Sequence, residues 1–259
     1  MSVVIAISNQ KGGVSKTTTA YNLGACLALH HGKKVMLIDI DPQANLSEYL
    51  GFVPDDKPTM TNLIITTCTN GVIKPYEVMS AVRHSENANV DYIPADINLA
   101  SIETFMTTAI SRETILSRIL SEEVTHNYDF ILIDCLPSLS TLLINALATA
   151  DRVLIPVQTQ KFSMDGLQAL ESLLCQIKNT INPKVNLLGI LPTMSDRTTV
   201  SRNAIDTLTE KYGGMMFHTA ISKSIEAAKS TETGIPLCLT KGKLGTEYEK
   251  LTMEVFSRC

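Results

Sequence analysis

The segment Asn9-Gln10-Lys11-Gly12-Gly13-Val14-Ser15-Lys16-Thr17-Thr18 follows directly on the apolar run Val3-Val4-Ile5-Ala6-Ile7. A buried strand that runs into a Gly-rich turn and then a helix is where a chain binds phosphate. Backbone N–H groups of the turn and the helix N-terminus point at the anion, and the helix dipole favours negative charge there. Lys16 and Thr17 supply an ammonium for the β- and γ-phosphates of a nucleotide and a hydroxyl for Mg²⁺. The glycines are displaced from the usual phosphate-loop pattern. G-x-x-x-x-G-K-[ST] needs Gly at positions 10 and 15, where this chain has Gln10 and Ser15; Gly12, Gly13 and a second lysine, Lys11, stand nearby instead.

Two further apolar runs end in carboxylates, Leu37-Ile38-Asp39-Ile40-Asp41-Pro42-Gln43 and Ile133-Asp134-Cys135-Leu136-Pro137-Ser138. A carboxylate after an apolar strand suits Mg²⁺, usually through a water, because Mg²⁺ keeps much of its hydration. Asp134 fits that role. Asp39 and Asp41 would share a face if the strand continued, but Pro42 is expected to bend the chain just past Asp41. One carboxylate can then stay near the metal while the other orients an attacking water. A strand-end Asp can also do no more than cap the next helix. Three such ends beside a Gly-Gly-x-x-Lys-Thr turn favour the chemical reading.

The elements that must position these residues alternate along the chain. Strands are predicted at 3–8, 34–39, 90–94, 129–134, 152–157 and 186–192. Helices are predicted at 16–31, 97–106, 112–123, 139–148, 164–181, 198–212, 223–231 and 244–257. Leu167, Leu170, Leu174 and Ile177 keep the spacing of one buried helical face. Strands such as Phe130-Ile131-Leu132-Ile133 are continuous apolar runs, which implies burial on both faces in a parallel sheet. The expected fold is a doubly wound α/β domain over 1–259, with 54–90 an irregular, partly helical excursion. In such sheets ligands bind at the carboxyl ends of the strands, where the three chemical segments fall.

The 259 residues carry a net charge of −4, so no global field draws the chain to nucleic acid or to an anionic membrane. The six cysteines are scattered without C-x-x-C spacing, which argues against a zinc site or redox dithiol. Most are expected to be buried as small hydrophobes, in a reducing compartment. The N-terminal apolar run is too short for a signal peptide or a membrane span. His30 and His31 are expected to close the first helix, with no carboxylate or cysteine beside them for a metal role.

Segment 9–18, Asp-x-Asp-Pro-Gln at 39–43 and Asp-x-x-Pro-Ser at 134–138 resemble the ParA/Soj branch of the deviant Walker A (ParA/MinD) P-loop ATPases. Leu136-Pro137-Ser138-Leu139 with Ile144-Asn145-Ala146-Leu147, Ile155-Pro156-Val157 with Gly166-Leu167, and Gly234-Ile235-Pro236 extend the resemblance along nearly the whole chain. The resemblance implies an ATP hydrolase with ATP and Mg²⁺ as cofactors, weak alone and stimulated by a partner and DNA. It implies a homodimer when ATP is bound, with Lys11 reaching the phosphates of the facing subunit and Gly12 allowing that subunit close. Residues 11–18 (Lys11, Gly12, Gly13, Val14, Ser15, Lys16, Thr17, Thr18) are then nucleotide contacts, with Lys11, Lys16 and Asp41 catalytic. Asp41 matches the position that orients the hydrolytic water, and Thr17, Asp39 and Asp134 are left to the metal. Met194 and Pro236 match positions bordering the adenine, or serve as core and turn residues. Ser15 departs from the family's commonest glycine, and if that position needs φ > 0 the cost is about 1 kcal/mol. Gln160 stands where an acidic residue is frequent.

Family members divide by cargo. ParA-like members bind DNA without sequence preference through Lys and Arg contacts to phosphates. Lys223, Arg197, Arg202 and Lys229 are the candidates here, against the bland reading of an ordinary solvated surface. The implied partners are then non-specific DNA and a ParB-type centromere-binding protein, in the cytoplasm on the nucleoid. MinD-like members end in a membrane-binding amphipathic helix. The last helix here has Leu244, Tyr248, Leu251 and Val255 on one stripe, but Glu247, Glu249 and Glu254 on its polar face, where anionic lipid demands basic residues. It is expected to pack on the core, with no membrane partner. The alternatives are a MinD-like positioning ATPase and a nucleotide-gated regulatory protein with negligible turnover. Cys135 lacks the Cys-Gly-Gly context of the iron–sulfur relatives.

Overall fold

The computed structural model describes residues 2–161 and 164–259. Seven strands form one sheet: β1 (Val3–Ile7), β2 (Val35–Asp39), β3 (Arg83–Ser85), β4 (Val90–Ile93), β5 (Phe130–Asp134), β6 (Arg152–Gln158) and β7 (Asn186–Thr193). Their order is β3-β4-β2-β5-β1-β6-β7, parallel except for β3, which runs antiparallel to β4 at one edge. The chain therefore moves outward from β1 through β2 to the edge strand β3, steps back to β4, inserts β5 between β2 and β1, and continues through β6 and β7.

Alternate residues of the central strands feed two cores, as the two-residue side-chain period requires. Val4, Ala6, Met36, Ile38, Ile131 and Ile133 face one layer, together with buried residues of α3 (Met60–Asn70), α5 (Ile102–Thr107), α6 (Ile115–Ile119), α8 (Thr141–Thr149) and α9 (Met164–Thr180). Ile5, Ile7, Leu37, Leu132 and Leu154 face the other, against α1 (Lys16–Leu29) and α12 (Lys243–Arg258). Every residue of α1 from Thr19 to Ala28 is buried. At Gly24 a Cβ would meet Leu37 Cδ2 at 2.7 Å, so glycine lets α1 lie tight on β2. The doubly wound α/β fold is the one expected.

Several local expectations change. The helix predicted at 112–123 is broken into a 3₁₀ turn at Arg112–Thr114, α6, and α7 (Glu122–Thr125). Ser121 adopts an extended conformation and its carbonyl accepts Val124 N and Thr125 N, starting a new helix instead of continuing the old one. The 54–90 segment holds α3, α4 (Pro75–Ser80) and β3. A short α2 (Asn45–Tyr49) follows the Asp41-Pro42 bend. Beyond β7 come α10 (Thr199–Tyr212) and α11 (Ile225–Thr233).

The cysteines are less buried than expected. Cys26 and Cys135 are buried, Cys68 and Cys238 partly so, and Cys175 and Cys259 are exposed. His30 and His31 do have a carboxylate beside them. Glu249 of α12 takes His30 Nδ1 on one oxygen at 2.8 Å and His31 Nε2 on the other at 2.9 Å, joining the C-terminal end of α1 to α12. The stripe Leu244, Tyr248, Leu251 and Val255 is buried as expected. Glu247 and Glu254 of that helix accept backbone N–H groups of Ser222, His218 and Thr219. Among the described residues no helix is long and apolar enough to cross a membrane.

Candidate functional site

Strand register brings the chemical residues together. Asp134 is the Cα partner of Ile7 on one side and of Asp39 on the other, so the carboxyl ends of β1, β5 and β2 stand side by side. The loop leaving β1 is pinned from the β6–β7 side of the sheet. Asn9 Nδ2 donates to Pro156 O at 2.7 Å, and Asn9 Oδ1 accepts Lys11 N at 3.0 Å. Thr193 Oγ1 donates to Val14 O at 3.0 Å. Gly13 has φ 71° and Ser15 has φ 68°, both left-handed. Ser15 therefore occupies a conformation that costs a non-glycine residue about 1 kcal/mol. Gly12 is different: a Cβ there would meet nothing within 4 Å. Within one chain nothing demands glycine at that position.

Lys16 is 7 % exposed, and its Nζ donates to Lys11 O at 3.1 Å. Burial pushes its ammonium below the ordinary lysine range, against the opposing pull of Asp134 and Asp41. Asp39 is fully enclosed. Its Oδ1 accepts Asp41 N at 3.0 Å, and its Oδ2 accepts Ser47 N at 2.9 Å and Ser47 Oγ at 2.7 Å. Burial nevertheless pushes Asp39 up to about 6. Ser47 in turn accepts Ala95 N at 3.0 Å.

Asp134 differs from Asp39 in one respect: neither of its buried oxygens has a hydrogen bond of normal geometry. Burial first, and the Asp39 charge second, push it well above the carboxylate range. The Thr17 side chain beside it and the Lys16 ammonium favour its charged form. Two buried carboxylates on adjacent strands, one without a well-formed hydrogen bond, form a place where a cation lowers the energy. Among the described residues no three His, Cys, Asp or Glu side chains converge as a full ligand cage. The donor set is one or two carboxylates with the Thr17 hydroxyl, which fits a Mg²⁺ ion that keeps its waters.

Asp41, partly exposed, accepts Gln43 N on Oδ1 at 2.9 Å. Ala44 just beyond it has φ 54°. Thr18 lies in the first turn of α1, and its carbonyl accepts Asn22 Nδ2 at 2.9 Å. Met194 follows β7 directly, next to Thr193 that holds the phosphate-type loop, and has φ 49°. Pro236 is buried in a segment tied to α1 by Tyr21 Oη donating to Gly234 O at 2.7 Å and Leu237 N donating to Asn22 Oδ1 at 2.8 Å. Sequence reasoning gave no role to Asn9 or Ser47. Asn9 opens the quoted segment, and its short amide suits a loop that must be tied both to itself and to a neighbouring strand. Ser47 lies in the short α2, which left no periodic signal.

Lys223, Arg197, Arg202 and Lys229 are all exposed. Ser195 N donates to Ile221 O at 3.0 Å and Lys223 N donates to Ser195 O at 2.9 Å, so Arg197 and Lys223 leave neighbouring segments. Arg202 on α10 reaches back to the Arg197 carbonyl. Lys229 sits further along α11.

A family described as an AAA domain matches residues 2–187. The sporulation initiation inhibitor protein Soj of Bacillus subtilis is 38% identical over 241 residues, covering 92% of this chain and 91% of its own. The chromosome partitioning protein ParA of Caulobacter vibrioides is 35% identical over 260 residues, covering 98% and 94%. Among solved structures, a cobyrinic acid a,c-diamide synthase from Mycobacterium smegmatis with bound ADP and magnesium is similar, with a TM-score of 0.76 and 32% identity over 90% of this chain and 93% of its own. With its displaced glycines, paired lysines and aligned strand-end carboxylates, the chain belongs to the ParA/Soj family of deviant Walker A P-loop ATPases.

Proposed function

We propose that this chain is a Mg²⁺-dependent ATP hydrolase that pairs with a second copy on ATP, then holds DNA without sequence preference and serves partition of a replicon with a ParB-type partner, on the nucleoid. The observation that carries the reading is Asp134, a buried carboxylate without a well-formed hydrogen bond beside Lys16, Thr17 and Asp39. Bound Mg²⁺ neutralises phosphate charge and supplies the cation that this carboxylate lacks. The left-handed turn at Gly13 and Ser15 directs the N-terminus of α1 toward the phosphates, and Val14 and Thr18 line the same turn. Lys16 sits at the base of that turn as the cation for the phosphates. Asp39 is locked by Ser47 and held next to the metal position, while the partly exposed Asp41 keeps an oxygen for the attacking water. Lys11 and Gly12 face outward on an exposed loop, which supports a role against the second copy: a cation supplied in trans to the charge that develops in the transition state. Met194 and Pro236 border the same loop and helix and are assigned to the base.

The cations Arg197, Arg202 and Lys223 around the β7–α10 junction support DNA phosphate as the ligand of that face, with Lys229 further along. The C-terminal helix spends its apolar stripe on the core, which supports DNA over membrane as the cargo surface. Binding to arbitrary DNA is measured with ATP, with ADP and without nucleotide across a salt series. Binding only with ATP, weakening steeply with salt, is expected; Lys11→Ala retains nucleotide binding but loses most dimerisation and hydrolysis. Absence of DNA binding in every state, with ATP-dependent pairing intact, overturns the DNA reading and leaves the ATPase core. Normal partner-stimulated turnover by Lys11→Ala overturns the in-trans role.

A further inference from the structure

Away from the carboxylates, two thiols from distant parts of the chain meet. Cys26 lies fully buried in α1, and Cys238 lies partly exposed in the 3₁₀ turn Leu237–Leu239. That turn is gripped from both sides. Leu237 N donates to Asn22 Oδ1 at 2.8 Å, and Asn22 stands one helical turn before Cys26, on the same face of α1. From α12, Gly245 lies so close that a Cβ there would strike the Leu237 carbonyl. The turn therefore places Cys238 against α1 beside Cys26, packed on the same buried cluster, with Thr252 alongside. Neither cysteine is in a disulfide.

The two thiols are unequal. Cys26 is fully buried in α1, whereas Cys238 is partly exposed in the turn, so a small oxidant from solvent reaches Cys238 first. Peroxide oxidises the accessible thiol of such a pair through its thiolate form, and the buried neighbouring thiol resolves the product.

We propose that Cys26 and Cys238 form a peroxide-oxidised dithiol, in which Cys238 is attacked first and Cys26 closes the disulfide, tying the 237–239 turn to α1. The Cys238 thiolate sulfur bonds to one oxygen of hydrogen peroxide. The O–O bond breaks and hydroxide leaves to become water, so Cys238 becomes a sulfenic acid. The Cys26 sulfur then bonds to the Cys238 sulfur as the S–O bond breaks, and its proton leaves with the hydroxyl as a second water. Two thiols are oxidised by two electrons and one peroxide is reduced. The product joins the helix that begins at Lys16 and Thr17 to the segment carrying Pro236. The chemistry stands apart from the nucleotide reading and needs no ATP.

The test treats the full chain with hydrogen peroxide without nucleotide, blocks remaining thiols with N-ethylmaleimide, and maps digested peptides by mass spectrometry under non-reducing conditions. A Cys26–Cys238 linked peptide is expected, lost on reduction, while the exposed Cys175 and Cys259 remain mostly alkylated. Cys26→Ser is expected to stop at a Cys238 sulfenic acid that dimedone captures, and Cys238→Ser to give no link. The inference is overturned if, in the unaltered chain, Cys238 is still alkylated after Cys175 and Cys259 have oxidised. It is equally overturned if dimedone labels Cys238 in the unaltered chain as fully as in Cys26→Ser.

Discussion

The two edges of the one sheet differ in how fully they bond their aspartates: the amino edge bonds each of three, whereas at the carboxyl edge Asp39 is bonded and Asp134 beside it has no well-formed hydrogen bond. At the amino edge, aspartates are closed off by the protein. Asp151 accepts Val4 N at 2.9 Å while its own N–H donates to Val4 O. Asp129 accepts Lys34 N at 2.9 Å and likewise donates back. Asp91 accepts Tyr128 Oη at 2.8 Å and pairs with His84. At the carboxyl edge Asp134 is buried without a well-formed hydrogen bond, and Lys16 is buried beside it. Non-glycine residues with left-handed backbone also gather there: Ser15, Ala44 and Met194 each follow a strand that ends at that edge. The amino edge uses carboxylates as clips between strands. The carboxyl edge is left electrostatically incomplete and strained, which is the state of a surface completed by a ligand.

The largest effects belong to the carboxyl edge. Lys16→Ala is expected to abolish hydrolysis, by at least about 100-fold, because the phosphates lose the one buried cation of the loop. Far-UV circular dichroism is expected to remain that of the fold. Asp134→Asn sharpens the contrast. It is expected to remove Mg²⁺-dependent turnover, yet to raise stability without metal by about 1–3 kcal/mol, since a buried carboxylate without a well-formed hydrogen bond is replaced by a neutral group. Urea unfolding in chelator measures this. A fall in stability would mean that Asp134 is already compensated, and the contrast between the edges would fail.

Asp151→Ala should behave in the opposite way. Its loss leaves Val4 N without its partner at the start of β1, costing about 1–3 kcal/mol, while ATP turnover of the folded fraction is unchanged. Thermal unfolding and single-turnover hydrolysis separate the two readouts. If this substitution impaired hydrolysis as strongly as it impaired stability, the amino edge could not be regarded as purely structural.

Much of this contrast was legible in the sequence, and the reason is physical. Central parallel strands are buried on both faces, so β1, β2, β5 and β6 stand as continuous apolar runs, and the residues just past their ends mark the carboxyl edge. Gly13, Lys16, Asp39 and Asp134 are read there directly. Long-range pairing leaves no such trace. Arg83-His84-Ser85 carries no strand pattern, and β3 exists because it pairs with β4. Glu249 meets His30 and His31 across more than two hundred residues, so nothing near them in the sequence marks their carboxylate. The difference between Asp39 and Asp134 was also hidden. Both end apolar strands, but the Asp41 N–H and Ser47, placed by the short α2, bond Asp39, while Asp134 has no well-formed hydrogen bond.

The smallest effect tests the strain itself. Ser15 combines a left-handed backbone with the N-cap position of α1, yet its side chain makes no cap hydrogen bond, so nothing local offsets the strain. Ser15→Gly removes the Cβ clash but adds freedom to the unfolded chain. The two terms oppose, and a net gain of at most about 1 kcal/mol is expected, read as a shift of a few degrees in Tm. Hydrolysis should change little, because glycine adopts the same turn. A marked loss of stability would show that the Ser15 side chain holds the loop in some other way, and that the conformation at the carboxyl edge is supported and not merely tolerated.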